Sequence, residues 1–285
     1  MVLIQVIAGG LLLGAVYALL SSGLTLIWGM MNVVNFAHGD FVMIGMYIAY
    51  WVYTLAHGGV LFFTPLAAAV LYVLGVLVYF ALIRHVMRGP MLGQILSTFG
   101  LALFLRYAAF WAFSANFKTL PDTLVGGTLV LGGIRISAAE ALAGTVALAL
   151  TVGMHAMLLR TSIGSRLLAV SEDRTAAMLM GIRPDRMQAV AWGLAAANAG
   201  IAGALIATFY YVSPTVGESL VLIAFVVVCL GGFGSVHGAL AAGLIVGVVQ
   251  SVSAYWFGPV YEDIVVYAMF VAVLWIRPQG LLGRA

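Results

Sequence analysis

The chain has 285 residues, of which 64% are hydrophobic and 7% charged, and its mean hydropathy is +1.16. No soluble domain is that apolar, and the length suffices for eight or nine membrane spans. A formal net charge of +3 does not point to nucleic acid, because the basic residues sit in loops between apolar runs, as membrane topology demands.

The first span is expected from Val2 to about Trp28. No basic n-region precedes it, since the first Lys or Arg is Arg84, so it reads as a retained span rather than a cleaved signal. Residues 1–39 contain no Lys, Arg, Asp or Glu. At roughly 1.5 Å per residue, one helix of that length would reach nearly twice the hydrocarbon thickness. The chain must therefore break, and Asn32 to Asp40 (NVVNFAHGD) is where polar residues and a glycine allow it. A break survives in a membrane only when it is buried among helices or lines a watery cavity, so a transport path is the natural setting.

Phe41 to Ala56 is the expected second span, ending in Tyr47, Tyr50, Trp51 and Tyr53, aromatics of the headgroup level. His57-Gly58-Gly59 makes a turn. Phe63 to Ile83 is the third span, closed by the basic loop of Arg84, His85 and Arg88. Met91 to Phe113 is the fourth and carries Arg106, expected to snorkel to the outer interface rather than face a partner inside the bundle. Ser114 to Ala139 is a polar connection, and Glu140 to Leu159 the fifth span. Arg160 to Gln188 is the one extended charged segment. Ala189 to Val212 is the sixth span, Ser213 to Glu218 a turn, and Leu220 to Gly231 an apolar piece of about half a membrane thickness. A second break, GGFGSVHG at Gly231 to Gly238, precedes Ala239 to Phe257 and Ile264 to Ile276, and Arg277-Pro278 ends the set.

The expected architecture is thus an all-α polytopic transmembrane helix bundle of about eight or nine spans, one domain over 1–285, with two broken helices and a cytoplasmic segment at 160–188. Nine of the twelve basic residues fall in the loops at 84–88, 160–186 and 277–284, which places those loops in the cytoplasm. The N-terminus is then outside, and the C-terminus inside if Leu220 to Gly231 crosses fully. His38-Gly39 and His237-Gly238 each precede a span, which suggests an internal duplication.

The candidate pathway residues are Asn32, Asn35, His38 and Asp40 at the first break and Gly232, Gly234, Ser235 and His237 at the second. Asn35 or Asp40 could instead cap the span beginning at Phe41. His38 and His237 are too isolated to imply a metal, the lone Cys229 offers no Cys-based site, and no cofactor is indicated. GGFGSVHG is not a nucleotide fingerprint, and its glycines serve close helix approach. The same use is open to the G-x-x-x-G pairs Gly10/Gly14 and Gly243/Gly247.

Gly164 to Arg186, GSRLLAVSEDRTAAMLMGIRPDR, reads as a short helix, a charged knot at Glu172-Asp173-Arg174, and a second helix stopped by Gly181. Met178, Leu179 and Met180 would expose apolar side chains unless a docked partner, or the bundle itself, covers them.

Three stretches carry a resemblance over essentially the whole chain: Gly23 to Ala49, the pattern G-x-x-x-x-A-x-x-E-D-x-x-A-A-x-x-x-G-I from Gly164 to Ile182, and Gly231 to Gly243. Together they resemble the permease subunits of bacterial branched-chain amino acid ABC transporters. The resemblance implies a multi-pass subunit of the cytoplasmic (inner) membrane. Its implied partners are a second related permease, two ATP-binding subunits and an extracytoplasmic solute-binding protein. It also implies that Gly164, Ala169, Glu172, Asp173, Ala176 and Gly181 match the loop that docks on the ATPase. Urea, amides and aromatic acids are the alternative solutes in that family. The chain has no G-x-x-x-x-G-K-[ST], so it is no ATPase itself. A stand-alone secondary transporter or channel is the rival, and it would need buried carboxylates or a His relay, for which Asp40 alone offers itself.

Overall fold

A computed structural model describes residues 2–57, 59–87, 89–121, 125–131, 133–277 and 279–281. Gly58 of the expected turn, Arg88 of the basic loop, Pro278 and Arg284 lie outside these residues. Within them, eight helices are long and apolar enough to cross a membrane, and a ninth apolar helix is shorter. The chain is a polytopic all-α bundle. Its helices are α1 (Val2–Met31), α2 (His38–Ala56), α3 (Val60–Val78), α4 (Arg84–Val86), α5 (Met91–Phe113) and α6 (Ala138–Arg160). They continue as α7 (Ser162–Glu172), α8 (Arg174–Leu179), α9 (Pro184–Ile206), α10 (Val216–Gly231), α11 (Val236–Phe257) and α12 (Glu262–Ile276). A hairpin of β1 (Thr128–Leu131) and β2 (Ile134–Ser137) precedes α6.

The bundle has a dry seam built of glycine. Gly10 and Gly14 of α1 lie against Gly243 and Gly247 of α11. A Cβ on Gly14 would come within 2.6 Å of the Gly243 carbonyl oxygen, so side chains are excluded from this line. Between apolar helices in lipid, association rests on such close backbone approach. The two G-x-x-x-G pairs of the sequence are therefore the two halves of one interface.

α1 and α9 are antiparallel neighbours: Asn198 Nδ2 donates to Ser22 Oγ at 3.2 Å, and Gly23 abuts Ala195. α3 continues past Val78 through a π-helical turn, Tyr79–Ile83, into α4. A π turn is often a site of function or strain. Here it presents the buried Tyr79 hydroxyl, which donates to Gln188 Oε1 of α9 at 2.8 Å. Gln188 is therefore inside the bundle, and α9 begins at Pro184, five residues before the expected span. The segment outside the long spans ends correspondingly earlier than 188. Asp185 explains the shift: it pairs with Arg84 at 3.2 Å and with Arg174 at 2.8 Å, so charges that look like loop are spent tying α4 and α8 to the start of α9.

The Arg-rich segment is ordered by packing against the bundle. Leu167 and Val170 of α7 and Ala177 of α8 join Leu26, Met30, Leu158, Ala191 and Val236 in one apolar cluster. Thr161 caps α7 by accepting from Gly164 N, and Asp173 caps α8 by accepting from Thr175 N and Ala176 N. Gly181, at φ +79, turns the chain out of α8. That cluster marks the Arg-rich end of α1. Leu281 N donates to Leu230 O at the end of α10, which brings the C-terminal segment back beside that element.

Candidate functional site

The site grows out of the break after α1. Met31 ends that helix, Asn32 follows with φ +53, and residues 32–35 are irregular. The chain then turns back. His38, the first residue of α2, donates from Nε2 to Leu20 O at 2.9 Å, near the middle of α1. Leu20 to Met31 spans about 16 Å of helix, and six extended residues reach about 20 Å. Residues 32–37 therefore suffice to carry the backbone back to mid-helix. α2 starts there, three residues earlier than the expected Phe41.

A second break of the same form follows α9, longer than the expected turn at Ser213 to Glu218 and overlapping it. α9 ends at Ile206, residues 207–215 run without a helix, and α10 begins at Val216. Val216 and Leu220 face the same cavity as Leu13, Val16 and Tyr17 of α1, so α10 also starts near the middle of α1. Gly231 to Gly238 is a tight turn between α10 and α11. Gly232 and Gly234 carry positive φ, and Ser235 Oγ caps α11 by accepting from Gly238 N at 3.0 Å. The GGFGSVHG stretch interrupts the helices where expected, at residues 232–235, but as a tight turn between two packed antiparallel helices, whereas the interruption that resembles the first lies between α9 and α10.

The starts of α2 and α10 meet head to head. Gly39 of α2 lies on Gly217 of α10 so closely that a Cβ on Gly39 would overlap the Gly217 carbonyl oxygen. The residue after each glycine is acidic, and one guanidinium serves both. Arg106 of α5 bonds Asp40 Oδ1 from Nε at 3.4 Å and pairs with Glu218 from Nη1. Asp40 is fully buried, the Arg106 side chain is 12% exposed and that of Glu218 58%. Two expectations are corrected here. Arg106 does not snorkel, because two carboxylates lie within its reach. Asp40 does not cap α2, because the helix already begins at His38 and the carboxylate turns to Arg106, though it remains in the first turn where negative charge is favourable.

Asn35 is buried and its Oδ1 accepts from Ala37 N at 3.1 Å, forming the turn that launches α2. Asn35 Nδ2, His38 Nδ1 and Asp40 Oδ2 have no hydrogen-bond partner among the described residues. Asn35, His38 and Asp40 thus stand together with Gly217, Glu218 and Arg106. Gly232, Gly234, Ser235 and His237 stand apart at the other end of α10, about 24 Å along the helix. Gly234 sits beside Gly29, and Phe233 against Trp28 at 4.4 Å, so this turn packs on the end of α1 near Asn32. His237 pairs with His155 of α6, ring centroids 3.4 Å apart. His38 and His237 therefore occupy unlike positions and do not mark equivalent points of a repeat. Among the described residues, no cluster of three or more His, Cys, Asp or Glu is placed to hold a metal.

A cavity of about 870 Å³ opens between α1, α10, α11, α12 and the second break. Its polar lining includes Tyr17, Arg135, Glu140, Gln250, Glu262 and Asp263, none of which a sequence motif marks as a site. Gln250 is one polar residue within an apolar span, and that was the available signal.

At the Arg-rich end, Glu172, Asp173 and Ala176 are exposed, Gly164 is buried and Ala169 half-buried. Leu179 and Met180 of the α8 terminus are 85% and 82% exposed, and Met178 is 50% exposed. Self-packing covers the inner face of α7 and leaves this trio open.

The chain matches the family model described as branched-chain amino acid transport system / permease component over residues 6–274. It is 32% identical to the high-affinity branched-chain amino acid transport system permease protein BraD of Pseudomonas aeruginosa, over 99% of this chain and 96% of that one. It is 29% identical to LivH of Escherichia coli K12, with the same coverage. LivM of the same organism, also a permease protein of that system by name, is 34% identical over 44% of this chain and 29% of its own length. No solved structure matches. Together with a bundle of eight apolar helices, this match shows that the chain belongs to the branched-chain amino acid transport permease family.

Proposed function

We propose that the chain is the permease subunit of an ATP-driven importer carrying branched-chain or related small amino acids across the bacterial cytoplasmic membrane. Its relatives BraD and LivH are named for that transport, which favours amino acids over urea, amides or aromatic acids. LivH and LivM, two distinct permease proteins of one organism, speak for a second, related permease beside this one. Two ATP-binding subunits and an extracytoplasmic binding protein complete the assembly in this reading, since the chain carries no P-loop sequence of its own.

The observation that carries the reading is the meeting of two helix starts, those of α2 and α10, at Gly39 and Gly217 near the middle of α1. Backbone broken at that depth is tolerated beside protein or a watery passage, and transporter sites are built on such breaks. The passage runs past Asn35, His38 and Asp40, with the turn from Gly232 to His237 near its inner end. Docking on the ATPases uses Gly164, Ala169, Glu172, Asp173, Ala176 and Gly181 together with the open apolar trio of Met178, Leu179 and Met180. Closure of the ATPase pair moves α7 and α8, and their apolar cluster with α1, α6 and α9 transmits the motion. Asp40, which ion coupling would have needed free, is committed to Arg106.

The test is reconstitution in liposomes. Leucine import is expected only when the chain is assembled with its ATPases and binding protein and supplied with ATP. The chain alone should hydrolyse no ATP. Import by the chain alone, driven by an ion gradient, would overturn the reading.

A further inference from the structure

The cavity at the end of the bundle away from the Arg-rich segment has a composition that its packing role does not explain. Its volume, about 870 Å³, falls in the range of small-molecule sites, roughly 300–1,000 Å³. One wall is apolar, from Leu13, Val16, Leu220 and Ile223. On the other side Gln250, 6% exposed, spends its amide hydrogens on two carboxylates: Nε2 donates to Asp263 Oδ1 at 3.1 Å and to Glu262 Oε1 at 3.5 Å. Its Oε1 is buried and has no donor among the described residues. Acidic residues in the first turn of α12 favour the helix dipole. That does not account for a buried amide that faces both of them and leaves its own acceptor unpaired.

We infer that this cavity is the solute's entry site and that Glu262, Asp263 and Gln250 hold the ammonium group of an α-amino acid whose side chain is apolar. The inference rests on the importer reading above. An ammonium has three N–H donors, enough for the two carboxylates and for the Gln250 oxygen. Tyr17, 5% exposed, lines the cavity beside them. Arg135, exposed on β2, is the cation among the lining residues and complements the solute's carboxylate. A branched aliphatic side chain then lies on the wall of Leu13, Val16, Leu220 and Ile223. The second break and the start of α10 form part of the same lining, through Phe209, Tyr210 and Val216, so a solute held here rests directly on the start of α10.

The test uses the assembled transporter with Cys229→Ser and a reporter thiol at Ser219→Cys, a cavity-lining position, labelled by a membrane-impermeant methanethiosulfonate. Leucine, and isoamylamine at higher concentration, are expected to slow labelling, whereas isovalerate and sodium chloride are not. Glu262→Gln with Asp263→Asn should raise the leucine concentration for half-protection on the order of tenfold or more, the usual size of a lost charge-assisted contact. Labelling without leucine should stay at the reference rate, which shows the cavity intact. If the double variant does not assemble, each single variant is read the same way. Equal protection in reference and variants overturns the inference, as does protection by isovalerate or salt alone, or no protection by leucine in a complex that imports it. A complex that imports no leucine overturns the importer reading together with this site.

Discussion

Gly39 of α2 and Gly217 of α10 lie backbone to backbone, and the residue after each, Asp40 and Glu218, is bound to the same Arg106. This places two helix starts, two carboxylates and one guanidinium at one point near the middle of α1. A side chain at either glycine would have to displace main chain. We expect Gly39→Ala to lower the thermal stability of the purified complex by about 1–3 kcal/mol, the usual cost of overpacking. Gly9→Ala, where a Cβ meets nothing within 4 Å, should leave it unchanged. Thermal unfolding in detergent checks both.

Arg106 and Asp40 should respond unequally to removal. Arg106→Gln strands a fully buried carboxylate and is expected to cost about 3–5 kcal/mol. Asp40→Asn leaves the guanidinium paired with the more exposed Glu218 and should cost markedly less. Combining the two should recover much of the loss. Equal single effects that simply add would show that the pair is not coupled.

What could be read in the sequence, and what could not, follows from the range of the interactions. Met91–Phe113 is the same in sequence and structure, since Gly-Pro before it and Ser after it delimit a run with one charge. Asn32–Asp40 was legible as a break for the same reason, through composition and length. The break at 207–215 was not. Ala207 to Val212 are mostly apolar or aromatic and carry no glycine or charge, so they read as the end of one span, and only Ser213 to Thr215 fell in the expected turn. Arg106 and Glu218 lie 112 positions apart, and no local spacing reveals such a partner. Gly231–Gly238 was legible as an interruption of helix, and its form, a tight turn between α10 and α11, depends on contacts such as Gly231 with Gly238 that glycine content alone does not specify.

Asp173 and Gly181 bound α8, and each has one local task. Asp173→Ala removes the acceptor for Thr175 N and Ala176 N and should cost about 1 kcal/mol. Gly181→Ala forces a side chain into φ +79, at about 1–2 kcal/mol. Both should loosen α8 and lower leucine uptake per ATP hydrolysed while leaving binding-protein affinity for leucine unchanged. Uptake and hydrolysis measured together in liposomes decide this, and an unchanged ratio would remove α8 from coupling.

The Tyr79 hydroxyl and Gln188 Oε1 fasten the π turn to α9. Tyr79→Phe leaves a buried amide oxygen unpaired and should cost about 1–3 kcal/mol, whereas Tyr79→Phe with Gln188→Leu should be milder than either effect summed. A double-mutant cycle on thermal stability checks this.

In the proposed transport cycle, α10 moves against the segment that re-enters after α1, and that motion gates passage. Phe36 and Phe225 mark that boundary, with ring centroids 5.1 Å apart. Phe36→Cys with Phe225→Cys, in the Cys229→Ser background, can be oxidised to a disulfide within the assembled transporter. Leucine uptake should stop on oxidation and return on reduction, with binding-protein affinity unaltered throughout. Uptake at the unoxidised rate while the cross-link is complete would contradict a gate at this seam.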